Sequence, residues 1–299
     1  MIRGAKNVLD PARAYGAFVE EEPDGDGGIA GVATILLTNR ECPWKCVFCD
    51  LWKNTLDETV PEGAIVAQIR RALEDLPPAR WIKLYNAGSF FDPRAIPPGD
   101  LPAIAEALAG FERVIVECHP KLVGDAALRF RDDLTGKLEV AMGLETADEA
   151  VLARLDKGMT LEDFASSAEL LRREGIDVRS FVLVQPPFVE PADAVDEAVR
   201  SVRFAEEAGA AVVSLLPTRG LPRPPRLAAL EDAFDRSPRG RARVFADTWD
   251  LGAFSDCPAC FPARRDRIAR MNLSQRVESR VLCPACSTSR SSAPASAAR

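Results

Sequence analysis

The sequence predicts an α/β protein that forms a partial (β/α)6 barrel of TIM type, followed by a small cysteine-rich C-terminal unit. Six short apolar segments, the first from Val32 and the last ending at Pro217, alternate with helical segments or long loops. Repeated βα units with apolar strands are typical of a parallel sheet that is buried on both faces. A doubly wound sheet is the alternative fold. It is disfavoured because no glycine-rich phosphate loop follows any of the strands.

Composition and charge are those of an ordinary globular chain. The 299 residues are 47% hydrophobic and 28% charged, which suits one large α/β domain with a small appendage. The longest apolar stretch, residues 29–37, is about half the length that a bilayer span needs, and the N-terminus lacks the apolar core of a signal peptide. We therefore expect no membrane span and a cytoplasmic location.

The predicted elements follow one another in a regular order. Residues 1–29 form an N-terminal extension with a hairpin around a Gly/Asp-rich turn, and residues 30–217 form the barrel. Strands after the first are expected at 80–86, 112–118, 137–145, 178–185 and 210–217. Helices are expected near 64–74, 100–109, 120–132 and 192–208, with a further helix capped by Thr160 and ended by Gly175.

The C-terminal region carries a second signal. Residues 218–286 are predicted to form a separate domain, and 287–299 a disordered tail. Two CPAC sequences separated by 22 residues place two cysteine pairs here, which is a strong indication of a tetrathiolate metal site. Structural zinc is the favoured occupant and an auxiliary iron–sulfur cluster is the alternative. The ligands would be Cys257, Cys260, Cys283 and Cys286.

Arginine is concentrated in the same region. The net charge of the chain is −7, yet twelve arginines stand against five acids from Arg236 to the end. Such a basic region suits phosphate contacts or a solvated surface equally well. Between the cysteine pairs, four arginines either bind a phosphate or carboxylate substrate or only cover a helix: Arg264, Arg265, Arg267 and Arg270.

Three further cysteines, Cys42, Cys46 and Cys49, form a C-x3-C-x2-C array directly after the first barrel strand. Because a closed structural zinc site needs four ligands, the trio either uses a remote fourth ligand or leaves a position open. Three thiolates in one loop suit a cubane iron–sulfur cluster with one open iron, which could bind a small molecule. His119 is the one histidine of the chain and so the one imidazole that could fill this position.

This array, with Phe48 before its last cysteine and an apolar strand before it, resembles the radical S-adenosylmethionine (SAM) superfamily. The resemblance implies a [4Fe-4S] cluster whose open iron is chelated by the methionyl group of SAM. One electron from the cluster would cleave SAM to methionine and a 5′-deoxyadenosyl radical, which abstracts hydrogen from a substrate. The resemblance also implies an external electron donor such as flavodoxin or ferredoxin.

Other parts of the motif set lie at the ends of later strands. By this resemblance Gly88 and Ser89 belong to the segment that receives the SAM amine, and Glu117 and Glu145 would face the ribose hydroxyls or an ammonium group. Gln185 would lie near the adenosyl group, and Phe48 completes the implied cofactor-binding set. Within the superfamily, residues 30–217 most resemble the archaeosine-forming subunit and, more distantly, the elongator catalytic subunit.

Three functions remain open at this stage. A radical SAM enzyme that modifies a tRNA nucleoside agrees with the basic C-terminal region, and radical SAM tailoring of a small metabolite agrees with the acidic barrel. The third is a non-enzymatic zinc-binding interaction protein that uses all seven clustered cysteines structurally.

Overall fold

The computed structural model describes residues 4–286, so the predicted tail at 287–299 lies outside the described residues. One sheet of eight strands runs in the order β1 to β8, with seven parallel strands after an antiparallel first one. This curled sheet confirms the predicted α/β half-barrel class. The strands are β1 (Gly16–Pro23), β2 (Ile29–Leu37), β3 (Trp81–Asn86), β4 (Arg113–Glu117), β5 (Lys137–Glu145), β6 (Asp177–Val184), β7 (Val212–Pro217) and β8 (Arg243–Ala246).

Helices alternate with these strands on the outer side of the sheet. The predicted start of α5 is confirmed, because Thr160 and Asp163 form a reciprocal capping box. Helix α4 was missed, and its six residues are too few to show a clear periodicity. The helices are α1 (Ala64–Asp75), α2 (Leu101–Ala107), α3 (Asp125–Asp133), α4 (Glu149–Arg154), α5 (Leu161–Arg173), α6 (Ala194–Glu207), α7 (Leu227–Arg236) and α8 (Phe261–Ser274).

The N-terminal hairpin is also confirmed. Strand β1 pairs along its whole length with β2, and Gly25 and Gly27 take φ values of +93° in the turn. The Asp24 carboxylate accepts hydrogen bonds from the backbone N–H groups of Asp26 and Gly28, which stabilises the turn. The hairpin therefore adds an antiparallel strand to the edge of the barrel.

The sheet continues beyond the predicted domain boundary at residue 217. Helix α7 and strand β8 form one more βα unit, and β8 pairs in parallel with β7. The prediction of six barrel strands therefore missed a seventh, since β8 has only four residues. Helix α8 packs against both β1 and β8, the first and last strands of the sheet.

Two different surfaces result from the alternation of side chains along the strands. Residues such as Ile35, Leu84 and Val140 pack in the main core under the helices. The opposite, concave face carries a buried ion network at its lower end. There Arg179 bonds to Glu22 at 2.7 Å and to Glu139 at 2.6 Å. Because these charges are paired, the network closes the floor of the barrel without an unpaired buried charge.

No helix within residues 4–286 combines the length and the apolar character that a membrane crossing requires.

Candidate functional site

The loop that carries Cys42, Cys46 and Cys49 leaves β2 at the carboxyl edge of the parallel strands. Its two ends are held together, because the Leu56 N–H donates to the Asn39 carbonyl at 2.8 Å. Its middle is attached to the end of α4 through a 3.0 Å bond from the Val47 N–H to the Leu155 carbonyl. A three-cysteine loop is thus fixed where barrel enzymes place their chemistry.

The thiols of this loop are shielded from water. Burial raises the pKa of Cys42 to about 11 and that of Cys46 to about 12, and it also raises the pKa of Cys49. Free thiolates are therefore disfavoured here, and a bound metal centre would be needed to hold them. Across residues 4–286, the C-terminal cysteines form a group whose sulfurs can share one ion, whereas these three do not. A cubane binds each thiolate through a different iron and suits a wider spacing.

His119 is not available as a fourth ligand. Its Nε2 lies 3.0 Å from the Lys157 carbonyl oxygen, so it donates there, and its Nδ1 accepts the Lys121 N–H at 3.2 Å. Its ring stacks on Trp44 with centroids 3.5 Å apart and planes 9° from parallel. Burial and the nearby Lys157 charge lower the pKa of His119 to about 3, which keeps it neutral. His119 therefore supplies no fourth ligand to the trio, and the open coordination position stays a prediction.

Gly88 and Ser89 lie after β3 and contact the cysteine loop and β4. A Cβ at Gly88 would come within 2.5 Å of the Arg40 carbonyl oxygen, so only glycine allows this close approach. Ser89 has a φ of 109°, and its hydroxyl accepts the His119 N–H at 2.8 Å. Both residues shape the site, and their contact with SAM remains a prediction.

The two predicted carboxylates differ in their partners. Glu145 has a φ of 69° at a β-bulge and forms a buried 2.6 Å ion pair with Lys157. Glu117 has no ion-pair partner among the described residues. Burial raises the pKa of Glu117 to about 7, although Lys157 and the Asn86 N–H act in the opposite direction. Glu117 is therefore the carboxylate that is free to bind a ligand group.

No protein-family model matches the sequence, but curated relatives do. Archaeosine synthase subunit beta of Thermococcus kodakarensis is 31% identical over 154 residues, which are 48% of each chain. The same subunit of Methanosarcina acetivorans is 26% identical over 181 residues, which are 56% of this chain and 52% of that one. An uncharacterised protein of Methanocaldococcus jannaschii is 23% identical over 228 residues, covering 71% of this chain and 62% of the relative. The chain thus spans about half to three-fifths of the length of the curated relatives that it matches.

These relatives agree with the superfamily that the cysteine motif predicts. Two of them carry the name of the subunit that the sequence most resembles within that superfamily. Similar solved structures include the archaeal Elp3 of Methanocaldococcus infernus, 14% identical with a TM-score of 0.46, covering 60% of this chain and 51% of that one. Coproporphyrinogen III oxidase of Escherichia coli, a radical SAM enzyme, is 13% identical with a TM-score of 0.46, covering 68% of this chain and 45% of that one.

The other two residues implied by the resemblance have structural roles in this chain. Phe48 is partly buried and packs against the hydrophobic core. Gln185 has a φ of 57°, and its side-chain amide donates to the Arg223 carbonyl at 3.0 Å. This bond ties the segment after β7 to the end of β6. Whether either residue also contacts SAM is not decided by these contacts, so that role stays a prediction.

Two residues that the sequence reasoning missed adjoin the predicted SAM segment. The side-chain amides of Asn39 and Asn86 are buried, and they have no hydrogen-bond partner within the described part of the chain. The Asn39 Nδ2 lies 3.1 Å from the Cβ position of Gly88, so the two strand ends meet here. Unpaired buried amides are costly, which makes them candidates to bind a polar ligand. The available signal was a polar residue directly after an apolar strand.

The C-terminal cysteines come together as predicted. The Sγ atoms of Cys257 and Cys283 are 3.9 Å apart, and those of Cys260 and Cys286 are 3.7 Å apart. A tetrahedral zinc ion with Zn–S bonds of about 2.3 Å places its sulfurs about 3.8 Å apart. Hydrogen bonds from the Cys260 backbone N–H and from neighbouring thiols lower the pKa of Cys257 to about 7. The group thus has the geometry and a ready thiolate for one metal ion.

The arginines between the cysteine pairs do not form a substrate-binding cluster. Arg267 is fully buried, and it donates to Asp235 and to the Glu278 carbonyl, each at 2.7 Å. Arg264 pairs with Glu231 of α7. The remaining two bind Asp266 and Glu278. Each guanidinium thus already neutralises an acid of the chain itself, which favours the structural alternative over a phosphate or carboxylate contact. Arg264 and Arg267 fasten α8 to α7.

Proposed function

We propose that this protein is a radical SAM enzyme that holds a [4Fe-4S] cluster on Cys42, Cys46 and Cys49 and binds SAM at the open iron. The observation that carries the proposal is that both nitrogens of His119, the one imidazole of the chain, are engaged in hydrogen bonds, so His119 does not complete the set of three cysteines. When bound, the cluster supplies the electron that cleaves SAM to methionine and a 5′-deoxyadenosyl radical.

The residues around the loop would bind and orient SAM. Glu117 would accept hydrogen bonds from the ribose hydroxyls or pair with the methionyl ammonium, because it lacks a cation of its own. The unpaired amides of Asn39 and Asn86 would satisfy further polar groups of the ligand. Glu145 is the weaker candidate for an ammonium contact, since Lys157 already occupies one of its oxygens.

For the substrate, we infer a nucleoside of tRNA. Two curated relatives carry the name archaeosine synthase subunit beta, which supports an RNA base as the target and a second subunit as a partner. Retention of tRNA that weakens steeply as salt rises would support this substrate, because phosphate contacts release counterions. Absence of tRNA binding at low salt would favour tailoring of a small metabolite.

We assign zinc to the C-terminal cysteines. The 3.7 and 3.9 Å sulfur separations support a single shared ion. An auxiliary iron–sulfur cluster would attach each thiolate to a different iron and would need a wider spacing. In this arrangement the electron would come from a separate donor such as flavodoxin or ferredoxin, because the C-terminal site is redox-inert.

The decisive assay follows 5′-deoxyadenosine. Protein purified and reconstituted without oxygen should form 5′-deoxyadenosine from SAM when dithionite is supplied, and Cys49→Ala should not. A colourless protein that holds only zinc and has no affinity for SAM would instead support the non-enzymatic interaction protein.

A further inference from the structure

Lys157 is a buried cation that the proposed chemistry has not yet used. It lies in the short turn between α4 and α5 and is 8% exposed. Its Nζ bonds to Glu145 Oε1 at 2.6 Å, and its carbonyl oxygen accepts the His119 Nε2 hydrogen. A buried lysine needs a reason, because an ammonium loses much of its hydration energy away from water.

The turn around Lys157 is built against the cysteine loop. The next residue, Gly158, has a φ of +71°, and a Cβ there would lie 2.5 Å from two atoms of the Trp44 ring. Trp44 stands between Cys42 and Cys46 and stacks on His119. The position of Lys157 is therefore coupled to the loop by its backbone as well as by its charge.

Strand β5 is also shaped to admit this ion pair. A Cβ at Gly143 would come within 2.1 Å of Glu145 Oε1 and within 2.6 Å of Lys157 Nζ. Only glycine leaves room for both groups at this point of the strand. The bulge between Gly143 and Glu145 turns the carboxylate towards the lysine.

The turn that carries Lys157 meets the cysteine loop at two points. The Val47 N–H donates to the Leu155 carbonyl at 3.0 Å, and the Trp44 ring lies against Gly158. Because Lys157 stands between these two contacts, its positive charge lies beside the loop that carries the predicted cluster ligands.

We propose that Lys157 is a positioning residue that provides the counter-charge of the iron–sulfur cluster and raises its reduction potential, with Glu145 holding the ammonium in place. This inference rests on the proposed function. One-electron reduction adds a negative charge to the cluster, and a nearby cation in a poorly hydrated site favours that added charge. Loss of the cation therefore makes reduction harder, and loss of the Glu145 charge makes it easier.

The test is a potentiometric titration of the reconstituted cluster by electron paramagnetic resonance, without SAM. For Lys157→Met we expect the ratio of reduced to oxidised cluster at a fixed potential to fall about tenfold, a shift of about 59 mV for one electron. For Glu145→Gln we expect a shift in the opposite direction. Lys157→Arg keeps the charge and should restore most of the potential.

The matched control is Lys45→Met, which removes the same charge directly before Cys46. Because Lys45 is exposed, water and salt screen it and the potential should move little. Iron content and melting temperature of every variant show whether the cluster site has formed.

The outcomes separate the two proposals. If the unaltered protein takes up no reducible cluster, the proposed function fails. In the other contradicting outcome, the cluster forms normally while Lys157→Met and Glu145→Gln shift its reduction potential in the same direction or leave it unchanged. In that case Lys157 is not the counter-charge of the cluster, and the radical SAM assignment stands.

Discussion

The two cysteine groups of this chain show how number, spacing and surroundings give one residue type two uses. Burial raises the pKa of Cys46 to about 12 in the N-terminal loop, whereas backbone N–H groups lower the pKa of Cys257 to about 7 in the C-terminal group. The first group has three thiols and a predicted open position, and the second has four sulfurs that can surround one ion. Four ligands that surround the ion suit a structural metal site, whereas a metal site with an open coordination position suits catalysis.

The residues around the two cysteine groups also differ, and the difference again suits chemistry at one group and structure at the other. The ends of β2, β3, β4 and β5 meet around the N-terminal loop, with Glu117, Lys157 and two unpaired amides beside it. Around the C-terminal group lie arginine–carboxylate pairs such as Arg264–Glu231, which fasten α8 to α7. Buried amides without partners accompany the first site and arginine–carboxylate pairs the second, which supports ligand binding at one and stabilisation at the other.

The largest expected effect comes from breaking the N-terminal group. Cys46→Ser should abolish 5′-deoxyadenosine formation and remove most bound iron, because a cubane with two protein ligands is poorly held. Zinc content should stay unchanged. Cys118→Ala is the matched control, since this buried thiol donates to the His119 carbonyl and is not part of the three-cysteine loop, so its loss should leave the iron content intact. Equal iron loss in both variants would contradict the assigned ligand set.

Breaking the C-terminal group should act on stability first. Cys260→Ser should release the metal and lower the melting temperature by roughly 5–10 °C, because ion binding contributes to folding free energy. A chelator added to the unaltered protein should produce the same shift, measured by calorimetry. The iron of the N-terminal site should remain. Loss of iron without loss of zinc would reverse the roles of the two groups.

A smaller effect should come from replacing Gly158, the glycine that lies against the Trp44 ring. Gly158→Ala should cost about 1–2 kcal/mol of backbone strain and should also displace Trp44, so that the loop retains less iron. Gly175→Ala tests strain alone, because Gly175 has a φ of +73° but nothing within 4 Å of its Cβ position. Iron per chain and the unfolding free energy are measured for both. If both variants retain as much iron as the unaltered protein, the stacking of Trp44 does not support the cysteine loop.

An effect of similar size, seen only at acidic pH, is the pH dependence that His119 imposes on stability. Its pKa is about 3 in the folded chain and about 6.5 when unfolded, so the unfolded chain binds more protons between these values. The stabilisation is present above about pH 6.5 and falls as the pH drops, by about 2 kcal/mol at pH 5. Denaturant unfolding at pH 7 and pH 5 measures it. His119→Gln should lose this pH dependence, and an unchanged one would show that another group causes it.

Part of the difference between the two cysteine groups was predictable from the sequence, and part of it was not. The strands β2 to β7 were predictable because each is a continuous apolar run, and both cysteine groups were predictable from spacing alone. The contact between Trp44 and His119 was not, because residues 75 positions apart meet only after β2 and β4 have joined one sheet. The ion pair of Lys157 with Glu145 was not predictable either, since Glu145 lies at a bulge of β5. The role of the α8 arginines stayed open in the sequence because the acidic partners of Arg264 and Arg267 lie on α7.

The central claim is that the two cysteine groups bind different metals. Iron, sulfide and zinc should be measured per chain after anaerobic purification and reconstitution. The account predicts about four irons, about four sulfides and about one zinc. About eight irons without zinc would make the C-terminal group a second cluster, and about two zincs without iron would contradict the radical SAM chemistry itself.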